Sequence, residues 1–133
     1  FNFENVKFNA VSKNIVFEDI NNNPDVEYAK EQLNKWFDEK IKVDGIDGEL
    51  SIFVKSIQIN KVKEVDFYRF EINLNIDFVE QSKTMNFSKS YNLKSIEFGE
   101  INGVFSIKDQ ENLNKNITLK SIKTINKKLL KII

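Results

Sequence analysis

The chain has 133 residues, with 20 basic and 20 acidic side chains, no histidine and no cysteine. That length supports one domain with its own core, and the balanced charge sets up no global field toward nucleic acid or a membrane. Without imidazole or thiolate, histidine and cysteine catalysis, the usual zinc sites and every triad built on imidazole are excluded.

Two biases colour what remains. Only Arg69 among the basic residues is an arginine, and asparagine and isoleucine are abundant. This is the mark of an AT-rich genome, and lysine patches weigh correspondingly less as selected features. Charge is also uneven along the chain: residues 112–133 hold six lysines and no acid, a basic strip on an acidic body. The sequence opens on Phe1 with no methionine and no signal-like segment, which reads as a processed or trimmed form whose signal or anchor would lie upstream. No apolar run approaches the roughly 18 to 20 residues of a membrane span.

Residues 1–20 place Phe1, Phe3, Val6, Phe8, Val11, Ile15, Val16 and Phe17 in loose alternation with polar residues. They predict one extended strand or a strand pair. The asparagine run ending at Asn23 then stops it, with Asn23 suited to an N-cap and Pro24 to the first helical position. From Pro24 to about residue 43, Val26, Ala29, Leu33, Trp36, Phe37 and Ile41 recur near a 3.6-residue period and predict a helix with one apolar stripe. Gly45 and Gly48 supply the reversal after it.

Residues 49–63 form the next strand, with a phase change. Leu50, Ile52 and Val54 share one face while Ile57 and Ile59 fall on the other, so a bulge near Lys55 and Ser56 is needed to return them inward. After a charged turn at 61–66, residues 67–79 keep the strictest alternation in the chain. Tyr68, Phe70, Ile72, Leu74, Ile76 and Phe78 point one way, and Arg69, Glu71, Asn73, Asn75 and Asp77 the other. One dry and one wet face belong to a sheet covered on one side only. A hairpin loop at 80–83 leads to a strand from about Thr84 carrying Met85, Phe87, Tyr91 and Leu93, where Lys89 breaks the face and points to an edge strand or a second bulge. Residues 97–106 read as a loop tucking Ile101, Val104 and Phe105 beneath itself. Ser106 and Asp109 form a capping box for a last helix on Leu113, Ile117, Ile122, Ile125, Leu129, Ile132 and Ile133.

Nothing repeats at a fixed period and no linker divides the chain, so residues 1–133 are expected as a single α+β domain. The economical arrangement is a two-layer sandwich. A four-stranded antiparallel or mixed sheet carries two helices on one face, in the order β-α-β-β-β-α.

Candidate sites are few. Asp44, Asp47 and Glu49 put three carboxylates on a glycine-containing loop, which a hard cation such as calcium can use, although the spacing is not that of an EF-hand and a solvated turn explains it equally. Lys120, Lys123, Lys127, Lys128 and Lys131 line one side of the terminal helix. They could meet phosphate, anionic lipid or an acidic partner, or simply form the solvated side of an amphipathic helix. Nucleic-acid recognition is not expected with one arginine and inward aromatics. Trp36 and Phe37 could line a ligand pocket between helix and sheet, yet aromatics at helical spacing are more often core. Glu71 and Asp77 share a face about 20 Å apart, too far for a glycosidase pair. No residue pattern calls for a cofactor.

The order of elements, with Leu33-Asn34-Lys35-Trp36-Phe37 in the helix, Gly48-Glu49-Leu50-Ser51-Ile52 opening a strand and Tyr68-Arg69-Phe70-Glu71-Ile72 in the next, resembles the small envelope lipoproteins of alphaproteobacteria. In outline it is similar to the lipopolysaccharide-assembly lipoprotein and to auxiliary lipoproteins of lipid-transport ABC systems. The resemblance implies a non-catalytic periplasmic domain, anchored through a lipidated cysteine that would precede Phe1. It would act by contact with an outer-membrane or transport partner, with anionic lipid or lipopolysaccharide as a further candidate. It carries over no site residue. A second reading is kept beside it: a cystatin-like or NTF2-like domain, cytoplasmic or not, binding a small ligand or working as a carboxylate enzyme. That reading requires a concave sheet with a pocket lined by Trp36, Tyr68 or Tyr91 and at least one carboxylate.

Overall fold

Three strands of sixteen residues each form an antiparallel meander, the backbone of a computed structural model that describes residues 1–18 and 20–133. They are β4 (Glu49–Glu64), β5 (Phe67–Ser82) and β6 (Phe87–Asn102). Ahead of them come β1 (Val6–Phe8), β2 (Ser12–Phe17), helix α1 (Pro24–Glu39) and β3 (Ile41–Val43), and the chain closes with helix α2 (Ile107–Ile132). The main sheet has the order β2-β4-β5-β6, with β2 parallel to β4. A second, two-stranded parallel sheet joins β1 to β3.

The alternation of β5 decides which face is covered. Tyr68, Phe70, Ile72, Leu74, Ile76 and Phe78 are all buried under the helices, as a strand with a two-residue period requires. Between Val54 and Ser56 the register of β4 against β5 shifts, so Ile57 faces Leu74 and Ile59 faces Ile72 on the inner side. The bulge leaves Lys55 unpaired as the extra residue and thereby keeps both halves of β4 in one core.

Helix α1 begins where Asn23 accepts from the Val26 N–H at 3.1 Å, with Pro24 just inside. Val26, Ala29, Leu33, Trp36 and Phe37 form its buried stripe. The Lys13 ammonium on β2 donates to the Phe37 carbonyl in the last turn of α1 and to the Ile41 carbonyl of β3, at 2.5 and 2.7 Å. Helix α2 opens with the capping box: Ser106 accepts from the Asp109 N–H and Asp109 from the Ser106 N–H. Its seat is set by two small inward residues of β6. A Cβ on Gly99 would stand 2.7 Å from Leu113 and 2.8 Å from Ile117, and the Ser95 and Ser121 hydroxyls pair in the core at 2.5 Å.

Five expectations are corrected. The helix expected to about residue 43 ends at Glu39, because Ile41 is buried by pairing with Val6 rather than by continuing the helical stripe. Residues 97–102, read as loop, continue β6 as far as Asn102, held by ladder bonds to β5. Val104 is left exposed rather than tucked under. The strand expected from Thr84 starts at Phe87 after a turn in which Met85 is exposed, and Ile132 and Ile133 overrun the sheet into solvent. Within β6 no second bulge occurs; it is the edge strand that Lys89 signalled.

Candidate functional site

The N-terminal residues lie across the outside of the helical layer. Val6 N–H donates to the Lys40 carbonyl at 2.7 Å, and the Glu4 carbonyl accepts from the Asn126 side chain at 3.0 Å. These two bonds, one to the end of α1 and one to α2, lead residues 1–3 into the furrow between the helices. There Phe1 and Phe3, with ring centroids 5.1 Å apart, and Leu119 make the apolar part of a groove of about 760 Å³. Lys35 and Glu39 of α1 and Lys120 and Lys123 of α2 stand around it.

The lysine stripe therefore divides. Lys123 faces the groove, while Lys120 lines it and also lies 3.6 Å from Glu97 of β6. Lys128 turns to the sheet edge, donating to the Lys94 carbonyl at 2.6 Å. Lys127 and Lys131 are exposed. Helical periodicity keeps Lys120, Lys123, Lys127 and Lys131 along one side of α2, while Lys128 is set off toward β6.

The three loop carboxylates do not gather. Asp47 accepts from the Ser82 hydroxyl at 2.5 Å and the Thr84 N–H at 3.0 Å, tying the loop before β4 to the turn after β5. Those two donors hold its carboxyl below the ordinary aspartate range. Asp44 and Glu49 are exposed, and among the described residues no three His, Cys, Asp or Glu side chains come together as cation ligands. The turn has a structural role.

The space required for an interior ligand is filled. Trp36 and Tyr68 are wholly buried, Trp36 packing against Phe37 and Phe78 with ring centroids at 5.0 and 6.1 Å, and Tyr91 lies against Phe8. The pocket that a cystatin-like or NTF2-like domain would need from these aromatics is occupied by core side chains. On the outer face Glu71 is held by Arg69 and Asn60, and Asp77 by Asn92 with Lys55 at 3.8 Å. Both carboxylates are engaged in cross-strand pairs rather than turned to each other.

One polar chain had no forewarning in the sequence. Tyr68 donates to Asn114 at 2.6 Å, Asn114 donates to Asp25 at 3.4 Å, and Asp25 pairs with Lys61 at 2.6 Å. It binds β5, α2, the first turn of α1 and β4 together beside a crevice of about 470 Å³. Burial pushes the Tyr68 phenol up, opposed by its bond to Asn114, so the phenol keeps its proton near neutral pH and cannot serve there as a base. Asn126 was also missed, although a legible signal existed: an amide stands on the apolar stripe between Ile122 and Leu129. Among the described residues no helix is long and apolar enough to cross a membrane.

No protein-family model matches the sequence, and no curated protein matches it. Solved structures similar in fold include the following three. Rare lipoprotein B from Shewanella oneidensis superposes with a TM-score of 0.44 at 9% identity, over 90% of this chain and 91% of that one. A minor lipoprotein from Acinetobacter baumannii gives 0.45 at 9% identity, over 88% and 89%. A putative neuraminyllactose-binding hemagglutinin homolog from Helicobacter pylori gives 0.38 at 12%, over 97% and 90%.

Proposed function

We propose that this chain is a non-catalytic binding domain of the bacterial envelope, the soluble part of a lipoprotein that is tethered through its N-terminal end and assists an outer-membrane or lipid-transport partner. The observation that carries the reading is a coincidence of place. Phe1 and Phe3 lie in the same groove as Lys35, Lys120 and Lys123, so a tether leading away from Phe1 and a cationic wall would address one side of the molecule. A membrane tether would then turn these lysines toward anionic head groups, where each basic residue near the surface is worth about 1 kcal/mol. The element order described above supports the same reading, as does the filled interior, which leaves contact at the surface as the mode of action.

The test is co-sedimentation with vesicles of phosphatidylglycerol or of phosphatidylcholine at low and high salt. Binding to the anionic vesicles alone, lost at high salt and reduced in Lys35→Gln/Lys120→Gln/Lys123→Gln, is the expected result. Binding indifferent to both salt and lipid charge would remove the membrane-facing role.

A further inference from the structure

The free edge of β6 is the most exposed chemistry of the main sheet. Gly103 N–H donates to the Asp66 carbonyl at 2.7 Å, which fixes the phase of the ladder: odd-numbered residues of β6 turn their backbone groups to β5. The even-numbered residues turn theirs outward. The Lys94 carbonyl agrees, since it accepts from the Lys128 ammonium rather than from a strand. Natural sheets blunt such an edge by shortening it or charging it heavily. Here the edge runs for sixteen residues, and the side chains at its outward-bonding centre are Lys94, Ile96, Phe98 and Glu100, with Ile96 66% and Phe98 49% exposed. The opposite edge differs, because β2 covers β4 along residues 49–54 and the remainder carries Lys55, Lys61 and Lys63.

We infer that the β6 edge is a strand-addition site for an extended segment of a partner protein. The segment runs antiparallel, with a basic residue opposite Glu100, apolar residues opposite Phe98 and Ile96, and an acidic residue opposite Lys94. Backbone bonds to the even-numbered residues supply affinity and the alternate side chains supply selectivity, the usual division in this mode of recognition. The partner's N–H replaces the Lys128 ammonium on the Lys94 carbonyl.

A second copy of this chain fits the side chains of the edge but not the flank of α2 beside it. Gly99 and Ser95 seat α2 over β6 and β5, and on the side nearest the edge Lys120 lies 3.6 Å from Glu97 while Lys128 donates to the Lys94 carbonyl. Two copies joined edge to edge would bring these lysines of both α2 helices toward one another, and like charges brought together oppose such a pairing. An extended segment without a covering helix meets no such obstacle.

The probe is the capped peptide Lys-Thr-Val-Thr-Ile-Thr-Glu, titrated into the isotopically labelled chain and followed by amide chemical shifts. Shifts centred on Lys94, Ile96, Phe98 and Glu100 are expected, with binding weakened about tenfold in Ile96→Lys. In the Lys94→Glu/Glu100→Lys variant the preference should reverse by about fivefold toward the peptide with its terminal charges exchanged. This exchange leaves Ile96 in place, so it answers even if Ile96→Lys fails to fold. Shifts on β4, shifts scattered over the surface, or none at millimolar peptide overturn the inference. So does concentration-dependent self-association abolished by Ile96→Lys, which would make a second copy the occupant. None of these outcomes bears on the vesicle experiment.

Discussion

The indole N–H of Trp36 donates to the side-chain oxygen of Asn126 at 2.8 Å, with both residues wholly buried. Ninety positions apart in sequence, they join α1 to α2, and the same amide holds the Glu4 carbonyl. Leucine in place of Asn126 keeps the volume but strands the Trp36 donor in the core, while the Glu4 carbonyl, on an exposed residue, can turn to water. The expected loss is about 1 to 3 kcal/mol, the cost of one buried unpaired group. Chemical denaturation of Asn126→Leu, Trp36→Phe and the double variant checks it: the double variant should be less destabilised than the sum of the singles, and strict additivity would deny the coupling.

Gly48 and Gly99 should respond differently to alanine. At Gly48 the backbone is left-handed, φ +91°, and a Cβ would collide with the Gln81 carbonyl oxygen, which the β4–β5 ladder holds in place. At Gly99 the obstructing atoms are the side-chain ends of Leu113 and Ile117. Gly48→Ala is therefore expected to cost about 3 kcal/mol or more, from strain and clash together. Gly99→Ala should cost about 1 to 2 kcal/mol as α2 shifts outward. Thermal unfolding of the two variants ranks them, and a costlier Gly99→Ala would contradict the contacts described.

Acid should weaken the fold through Asp47 and Asp109. Hydrogen bonds from Ser82 and Thr84 lower the first, and bonds from Ser106 lower the second, relative to the ordinary value of 3.8. A carboxyl depressed on folding stabilises fully above its unfolded value and loses that contribution as pH falls through the folded one. Stability should thus fall below about pH 4, with a shallower slope in Asp47→Asn/Asp109→Asn. An unchanged acid limb in the double variant would show that these two bonds carry none of the dependence.

Removal of Lys55 tests the bulge. Without that residue Val54, Ser56 and Ile57 pair with Ile76, Asn75 and Leu74 in unbroken register and Ile57 and Ile59 stay on the dry side, so the deletion should keep the same core and lose only about 1 kcal/mol with the ion pairs of Lys55. Lys55→Ala, which keeps the backbone count, should lie within about 1 kcal/mol of the parent, because it gives up only half-exposed ion pairs to Glu18 and Asp77. A deletion several kcal/mol less stable than the substitution would show that the bulge does more than keep the two halves of β4 in phase.

Periodicity within one element is a local property, and that part of the molecule was written in the chain. The wet and dry faces of β5, the stripe and cap of α1, the capping box of α2 and the bulge in β4 all follow from spacing along a few residues, because side-chain direction follows backbone phase. Whatever depended on a distant partner was decided only by the tertiary structure. Ile41 became a strand because Val6 was there to pair with it, and residues 97–102 did so because β5 was long enough to template them. The lysines of α2 were divided between groove and sheet edge by the seat that Gly99 and Ser95 provide. Lys35 entered the groove only through packing of α1 on α2 beneath Phe1 and Phe3. Strand pairing and helix seating are contacts between residues far apart in sequence, and no local period encodes which of them will meet.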